Sequence, residues 1–261
     1  MSSLNIQAGG HCFMRDMSFY IHHLKTELRQ VSTLEKAESS RRYFPEGFEC
    51  LGVNAADIKQ ILKRFQTEYA DLNAEQTLEL TEAFLKEAKY NEEFLLAFAL
   101  INKFVKRHYE DTLLARFEYW LEHYADNWSL VDDLCLKSIF NFLMARPHLI
   151  ESMQHWALSK NPWCRRASCV VWVKFIKRKM GKQTYFLNTA LVFKQCNLLL
   201  EDKNEFVQKG VGWLLKVTAI EHQAEVIRFI KENINRFTRP TLRYAIEKMD
   251  GETRKVMLQL S

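Results

Sequence analysis

An aspartate that shares a helix face with a tryptophan is the first feature suited to chemistry. The segment NWSLVDDL places Trp128 and Asp132 four residues apart, hence on one side of a helix. An ionised carboxylate there is a fixed anion that can stabilise developing positive charge beside an aromatic face. The structural alternative is that Trp128 packs in the core while Asp132 and Asp133 complement the positive end of the helix.

Two consecutive arginines follow at the equivalent place in the next helix pair. The segment NPWCRRASC puts Arg165 and Arg166 in the first turns of a helix, and Arg166 occupies nearly the position that Asp132 holds earlier. Cations near a helix N-terminus oppose the macrodipole, which favours a role in binding an anionic ligand. The alternative is a ladder of ion pairs between successive repeats.

A third segment, NEFVQKGVGW, carries two glycines inside a predicted helix. Gly210 and Gly212 each cost about 1 kcal/mol relative to alanine in a helix interior, so something must approach that backbone closely. A neighbouring helix is one explanation and a DNA backbone is the other. Lys209 and Trp213, four residues apart on one side, favour the second, because mixed aromatic and basic side chains suit a sugar-phosphate ligand.

The elements that must position these residues are predicted to be helices. No glycine occurs between Val53 and Met180, and the only prolines there are Pro147 and Pro162. Apolar residues recur at steps of three and four. The predicted helices are 56–70, 75–88, 92–108, 111–124, 128–144, 149–159, 162–179, 184–200, 204–218, 222–235 and 239–258, the last with a break near Gly251.

An internal repeat predicts how these helices are arranged. Asn91, Asn127, Asn161 and Asn204 are each followed within three residues by a large aromatic, and each is predicted to cap a helix N-terminus. The spacing suits a two-helix repeat of the HEAT class. We therefore expect an all-α solenoid of antiparallel helix pairs, in which corresponding positions converge on one concave face.

The charge of the chain is unevenly distributed. Residues 1–150 contain 17 Lys and Arg against 22 Asp and Glu, whereas residues 151–261 contain 20 against 10. A basic half indicates a polyanionic partner, nucleic acid before membrane, although a solvated basic surface would have the same composition. We expect no membrane association, a cytoplasmic location and a monomer, with a flexible segment at 1–16 and one domain at 17–261.

The six cysteines are predicted to be reduced and structural. They include no C-x-x-C pair, and most lie within apolar runs. A zinc site built on Cys164, Cys169 and distant histidines is the alternative, but the spacing fits no known framework. No metal and no cofactor are expected.

The same residues carry a family resemblance. The motifs are Trp128-x-x-x-Asp132, Trp163-x-Arg165-Arg166 and Phe206-x-x-Lys209-x-x-Gly212-Trp213. They resemble those of bacterial AlkD-type DNA alkylation repair proteins. The segments Tyr43 to Phe48, Leu51 to Asn54 and Thr241 to Ile246 extend the resemblance over about residues 40 to 250.

The resemblance implies a metal-independent DNA glycosylase that removes cationic alkylated purines, such as 7-alkylguanine and 3-alkyladenine, from double-stranded DNA. It implies that Trp128 and Trp213 contact the deoxyribose of the lesion. Asp132 would stabilise the positively charged sugar and position water, while Arg166 would hold the adjacent phosphate. Further DNA contacts are implied for Tyr43, Asn54, Arg165, Phe206, Lys209, Gly212 and Arg243.

The sequence departs from the family pattern at two positions. Asn127 precedes Trp128 where the family often has a second tryptophan, and Val207 follows Phe206 where it often has a second phenylalanine. We expect these two departures to alter DNA binding or the range of lesions that is recognised, sooner than to abolish the reaction. The alternative function is a non-catalytic scaffold of the same fold that binds a DNA structure or another protein.

Overall fold

Helices make up most of the structure. The computed structural model describes residues 16–44 and 47–260, so the predicted flexible segment falls outside the described residues except for Asp16. The helices described are α1 Met17–Val31, α2 Leu34–Arg41, α3 Ala55–Glu68, α4 Ala74–Glu87, α5 Asn91–Leu100, α6 Leu113–His123, α7 Trp128–Asp133, α8 Phe140–Met144, α9 Pro162–Val170, α10 Thr189–Leu199, α11 Glu205–Glu232, α12 Arg239–Ala245 and α13 Gly251–Gln259.

Asparagine starts many of these helices. Its side chain accepts a hydrogen bond from a backbone N–H of the first turn, which would otherwise have no partner. The asparagines that do so are Asn54, Asn73, Asn127, Asn161, Asn188 and Asn204. Three of the four capping positions predicted from the repeat are therefore confirmed.

The prediction for Asn91 is wrong by one residue. Tyr90 is the N-cap of α5, and Asn91 is the first helical residue. The Glu93 carboxylate accepts hydrogen bonds from the backbone N–H groups of Lys89 and Tyr90, at 2.8 and 3.5 Å. This leaves the Asn91 side chain free to accept a bond of 3.2 Å from Asn127 Nδ2 in the next repeat.

Successive helix pairs stack as repeats of about 35 residues. Bidentate or close ion pairs join equivalent positions of neighbouring repeats: Arg64 with Glu27, Arg116 with Glu82, and Arg166 with Asp132, separated by 37, 34 and 34 residues. Buried apolar side chains from Tyr20 to Met257 form one continuous core. The architecture is the all-α helical repeat that the sequence predicts.

The predicted helix 128–144 is continuous but changes its hydrogen-bonding pattern. The α-helical turn Trp128–Asp133 passes into a π-helical segment, Leu134–Ile139, before α8 begins at Phe140. The predicted helix 149–159 corresponds to a 3₁₀ segment, Pro147–Leu158, with the proline at the position where its missing N–H is harmless. Two further 3₁₀ turns, Ile101–Lys103 and Ile234–Arg236, follow α5 and α11.

A β-hairpin replaces parts of two predicted helices. Strand β1, Lys177–Met180, pairs antiparallel with β2, Gln183–Phe186, in the register Met180 opposite Gln183. The predictions that helices fill 171–179 and 184–188 were wrong. The reason is the two-residue turn at Gly181 and Lys182, where Gly181 has a φ of +60°, a conformation typical of hairpin turns.

The C-terminal helices pack closely on α9. The predicted helices 204–218 and 222–235 lie within α11 and are separated by a kink at His222, whose φ and ψ of −133° and 45° are not helical, so the predicted boundary between them is confirmed. Helix α11 packs on α9 and on α12. The predicted break near Gly251 is confirmed, because α12 ends at Ala245 and α13 begins at Gly251.

Candidate functional site

The centre of the site is a buried ion pair between α7 and α9. Arg166 Nε and Nη2 donate to the two carboxylate oxygens of Asp132, at 2.9 and 2.8 Å. The Arg166 side chain is 6% exposed and that of Asp132 is 16% exposed. A bidentate pair of this kind fixes the plane and direction of the carboxylate. The structure thus brings together two of the four residues to which catalytic roles were assigned.

A third repeat completes the arrangement around Arg166. Its Nη1 donates to the backbone carbonyl of Phe206, near the start of α11, at 2.6 Å. Asp132 and the Phe206 carbonyl together bind the guanidinium from both sides. In this conformation three of the five N–H donors of Arg166 are engaged and its side chain is 6% exposed, so Arg166 orients Asp132; its predicted phosphate contact stays a prediction.

Burial and the ion pair act in opposite directions on the Asp132 carboxyl. Burial raises its pKa, and the hydrogen bonds and charge of Arg166 lower it; the net direction is upward. The neighbouring Asp133 also has a raised pKa, again chiefly through burial, with Lys137 acting against it. Arg166 therefore helps to keep Asp132 ionised in a site where burial favours its protonated form.

Arg165 makes a second inter-repeat ion pair. Its Nε and Nη2 donate to the Asp202 carboxylate at 2.6 and 3.1 Å, and its Nη1 donates to the carbonyls of Ser159 and Lys160. The ladder of ion pairs considered from the sequence is therefore present at both arginines. These contacts give Arg165 a structural role in this conformation, and its predicted DNA contact stays a prediction.

Trp128 forms one side of an aromatic stack. It is the first residue of α7, held there by the Asn127 side chain, which accepts hydrogen bonds from Ser129 N and Leu130 N. The ring of Phe44 stacks on Trp128 with a centroid distance of 5.0 Å, and the ring of Phe48 stacks on Phe44 at 3.6 Å. The loop after α2 thus contacts the repeat that carries Asp132.

The stack borders a cleft of about 280 Å³ that we call the aromatic cleft. Among the described residues, six aromatic side chains line it: Phe44, Phe48, Phe94, Trp128, Trp163 and Phe206. Four of them are the aromatics that follow the repeated asparagines in sequence. Corresponding repeat positions therefore do converge on one surface, as the repeat predicts. Asp132 lies one helical turn beyond Trp128, next to this cleft and outside its lining.

Lys209 and Phe206 lie together at the start of α11. Lys209 Nζ is 4.7 Å from the centre of the Phe206 ring and 2.7 Å from the Glu205 carboxylate. The side chains of Lys209 and Glu205 are both exposed. Phe206 contacts Trp163 with a centroid distance of 5.5 Å. Trp213 lies one helical turn after Lys209 on α11. It is half-buried, packs against the core and does not line the aromatic cleft.

Helix packing accounts for one of the two glycines of α11. A methyl group at Gly210 would contact Arg166 and Cys169 at 3.6 Å, and one at Gly212 would meet Thr241 O and the Tyr244 side chain at 3.1 to 3.2 Å. Both glycines are buried. The close approach inferred from the sequence is therefore made by α12 at Gly212, whereas α9 makes only ordinary contact with Gly210; the predicted DNA contact at Gly212 stays a prediction.

The other predicted DNA contacts lie at exposed positions around the site. Tyr43 is 75% exposed and precedes Phe44 of the stack. Asn54 is exposed and caps α3, while Arg243 is exposed on α12. Neither Asn54 nor Arg243 lines the aromatic cleft. Their roles stay predictions.

Sequence reasoning missed the roles of four side chains that shape the site. Phe94 was recognised only as a marker of the repeat, and Trp163 only as part of the repeat and of the family motif, although their shared position after asparagine could have placed them on one surface. Phe44 gave no signal, because it lies in a loop without periodicity. Asp202, the partner of Arg165, could have been found from its 37-residue spacing, which matches the repeat.

The described residues contain no group of three or more His, Cys, Asp or Glu side chains arranged to hold a metal ion. Within the same part of the chain, Cys50, Cys135, Cys164, Cys169 and Cys196 are free and buried. Burial raises the pKa of the Cys164 and Cys169 thiols to about 12, so these groups stay protonated at neutral pH. Among the helices described, none has the length and apolar character needed to span a bilayer.

Two solved structures share this fold. A predicted DNA alkylation repair enzyme from Enterococcus faecalis has a TM-score of 0.71 at 18% identity, over 84% of this chain and 97% of that one. Pseudomonas fluorescens alkylpurine DNA glycosylase AlkC, bound to DNA containing an abasic site analog, has a TM-score of 0.54 at 15% identity, over 94% of this chain and 66% of that one. No curated protein sequence is significantly similar to this chain.

The strongest assignment comes from the sequence family. The model for DNA alkylation repair enzymes matches residues 24–249. This range includes α3 to α12, the Asp132–Arg166 pair and the whole aromatic cleft. The chain therefore belongs to the DNA alkylation repair enzyme family.

Proposed function

We propose that the chain is an AlkD-like DNA glycosylase that hydrolyses the N-glycosidic bond of cationic alkylated purines in double-stranded DNA, without a metal. The observation that carries this proposal is the Asp132 carboxylate, fixed by Arg166 and placed one helical turn from Trp128 at the aromatic cleft. An N7- or N3-alkylated purine already carries positive charge and is a good leaving group. The protein mainly has to stabilise the sugar as the bond breaks.

Asp132 is suited to that task as an ionised carboxylate. When the bond between C1′ and the purine nitrogen breaks, the electron pair leaves with the base, which becomes neutral, and positive charge develops on the deoxyribose. A fixed carboxylate in a partly buried site stabilises that charge more strongly than water does. Water then adds to C1′ and gives up a proton, so a sugar hydroxyl, the free base and a proton result.

The aromatic cleft supplies the second part of the site. Faces of aromatic rings attract cations and exclude water, and Trp128 lies one helical turn from the carboxylate. We infer that the sugar of the lesion contacts Trp128 beside Asp132. Phe206 also lines the cleft and Lys209 lies over its ring, so we infer that both are near the strand that carries the lesion.

One observation favours a second candidate function. Both carboxylate oxygens of Asp132 are engaged by Arg166, as in a purely structural ion pair. A non-catalytic scaffold that binds DNA or protein would need no more than this. The two functions differ in whether the protein releases a base.

An excision assay tests the proposed function directly. Incubated with duplex DNA containing 7-methylguanine, the protein is expected to release the free base, detected by chromatography of the soluble fraction. An unmodified duplex of the same sequence is the control. Binding to the alkylated duplex without any base release over many hours would reject the glycosylase and leave the scaffold.

The raised pKa of Asp132 predicts a pH dependence. Because burial raises this pKa, the rate of excision should fall on acidification at a higher pH than an ordinary carboxyl would give. Arg166 lowers the same pKa, so the substitution Arg166→Gln should move the acidic limb further upward. The measurement is single-turnover excision between about pH 4 and pH 8 on 7-methylguanine DNA. An acidic limb at the same pH in both proteins would contradict the assignment.

A further inference from the structure

The β-hairpin carries a group of cations that the site described above does not use. Lys177, Arg178 and Lys179 lie in β1, and Lys182 is at the turn. Lys177 forms an ion pair of 2.8 Å with Glu221. Within residues 16–44 and 47–260, Arg178, Lys179 and Lys182 form no ion pair. Lys179 and Lys182 are also exposed.

The base of the hairpin concentrates positive charge on one aromatic ring. Lys174 Nζ and Arg178 Cζ lie 4.6 and 4.7 Å from the centre of the Phe140 ring. Lys174 Nζ also donates to the carbonyl of Leu136 at 2.9 Å. Burial lowers the pKa of Lys174, and the nearby charges of Arg178 and Lys137 lower it further. Like charges held this closely are costly unless an anion binds between them.

Neighbouring carboxylates balance only part of this charge. Asp133 pairs with Lys137, Glu221 pairs with Lys177, and Glu151 is close enough to raise the pKa of Tyr185 together with burial. The cations without a carboxylate partner within the described residues are Lys174, Arg178, Lys179 and Lys182, which we call the hairpin cluster. A surface with this excess suits a polyanion.

The hairpin cluster is close to Asp132 along the fold. Leu136, which accepts the hydrogen bond from Lys174, follows Asp132 by four residues, a rise of about 6 Å along a helix. Each DNA strand carries one phosphate per about 3.4 Å of helix axis. A strand with its sugar at Asp132 would therefore present phosphates to the hairpin cluster within the next few nucleotides.

We propose that the hairpin cluster binds the DNA backbone beside the lesion and forms a second anchor outside the aromatic cleft. This inference rests on the DNA-binding part of the proposed function. The cluster contacts phosphates and so contributes affinity without reading the base. Its signature is a strong salt dependence, because each phosphate neutralised releases condensed counterions.

Salt titration of matched variants tests the inference. The probe is a fluorescein-labelled duplex with a tetrahydrofuran abasic-site analogue, and binding is followed by fluorescence anisotropy at several salt concentrations. The variant is Arg178→Ala/Lys179→Ala/Lys182→Ala. The control, Lys59→Ala/Lys63→Ala/Lys86→Ala, removes three exposed lysines that form no ion pair in the described residues. Circular dichroism spectra establish that both variants are folded.

The slope of log affinity against log salt is expected to decrease by about 2 to 3 in the hairpin variant, since each cation contributes about 0.9. The control should change it by less than about 1. The double variant Lys179→Ala/Lys182→Ala keeps the contact of Arg178 with Phe140, and its slope should decrease by about 1.8. A smaller slope change in both hairpin variants than in the control would overturn the inference.

Base release, measured separately, distinguishes this inference from the proposed function. If the salt dependence of DNA binding is reduced in the hairpin variants but the wild-type protein releases no base, the hairpin is a DNA anchor and the glycosylase is rejected. If base is released and the slopes are unchanged, the inference is rejected and the glycosylase stands. If the wild-type protein does not bind the probe even at low salt, the inference is rejected, and base release alone decides whether the protein is a glycosylase.

Discussion

Replacement of Asp132 by asparagine is expected to reduce excision of 7-methylguanine by about 10²- to 10³-fold, because the fixed charge that stabilises the sugar is lost. Asparagine has nearly the same shape and its amide oxygen can still accept from Arg166. DNA affinity is expected to stay within about twofold of the wild type, since no phosphate contact is removed. Single-turnover excision and fluorescence anisotropy measure the two effects separately.

The neighbouring residue offers a matched control. Asp133 is also partly buried, also has a raised pKa and also forms an ion pair, in its case with Lys137. Asp133→Asn should leave excision within a few-fold of the wild type, because Asp133 pairs with Lys137 and does not contact Arg166. Equal activity of the wild type and Asp132→Asn, or equal losses in the two variants, would show that the charge of Asp132 has no special role.

Truncation of Arg166 to alanine is expected to lower the free energy of unfolding by about 3 to 5 kcal/mol, as is typical when one member of a buried ion pair is removed. The loss has two physical causes. Asp132 is left 16% exposed without a counter-charge, and the Phe206 carbonyl loses its donor. Urea unfolding, followed by circular dichroism at neutral pH, measures the change.

A double-mutant cycle isolates the pair from the other contacts of Arg166. The variant Asp132→Ala/Arg166→Ala should be less destabilised than the sum of the two single variants, because it leaves no buried charge unpaired. Arg166→Lys keeps the charge but cannot form the two parallel hydrogen bonds, so its stability should fall between wild type and Arg166→Ala. Additive losses would mean that Asp132 and Arg166 are independent.

The helical architecture was predictable because its signals are local. Apolar spacing marks a helix within a few turns, and an asparagine cap acts on the first backbone N–H groups of its own helix. Asn127, Asn161 and Asn204 cap helices as predicted. Asn91 does not, because Tyr90 is the N-cap of α5 and the Asn91 side chain instead accepts a hydrogen bond from Asn127 in the next repeat.

The hairpin and the π-helical segment were not predictable by the same reasoning. The hairpin strands are short and mostly exposed, so they show little apolar alternation, and Gly181 was interpreted as a break between helices. A π-helical segment has no composition of its own. It reflects packing of the whole repeat, which the sequence of Leu134–Ile139 does not contain.

Only the part of the site that follows from aligning the repeats was predictable. Repeat alignment placed Asp132 and Arg166 side by side, and they pair across neighbouring repeats. It could not show that Arg166 also donates to the Phe206 carbonyl, because a hydrogen bond to the backbone does not depend on the type of the accepting residue. Phe44 likewise reaches Trp128 through a loop whose path depends on tertiary contacts.

The bond from Arg166 to the Phe206 carbonyl has a consequence for local unfolding. Repeat arrays fray from their ends, since each unit is held only by its neighbours. If the N-terminal turn of α11 opens, Arg166 loses one of its two anchors, and the orientation of Asp132 loosens with it. Amide hydrogen exchange at the start of α11 should therefore report how often the carboxylate is held in place, even while α1 to α6 stay folded.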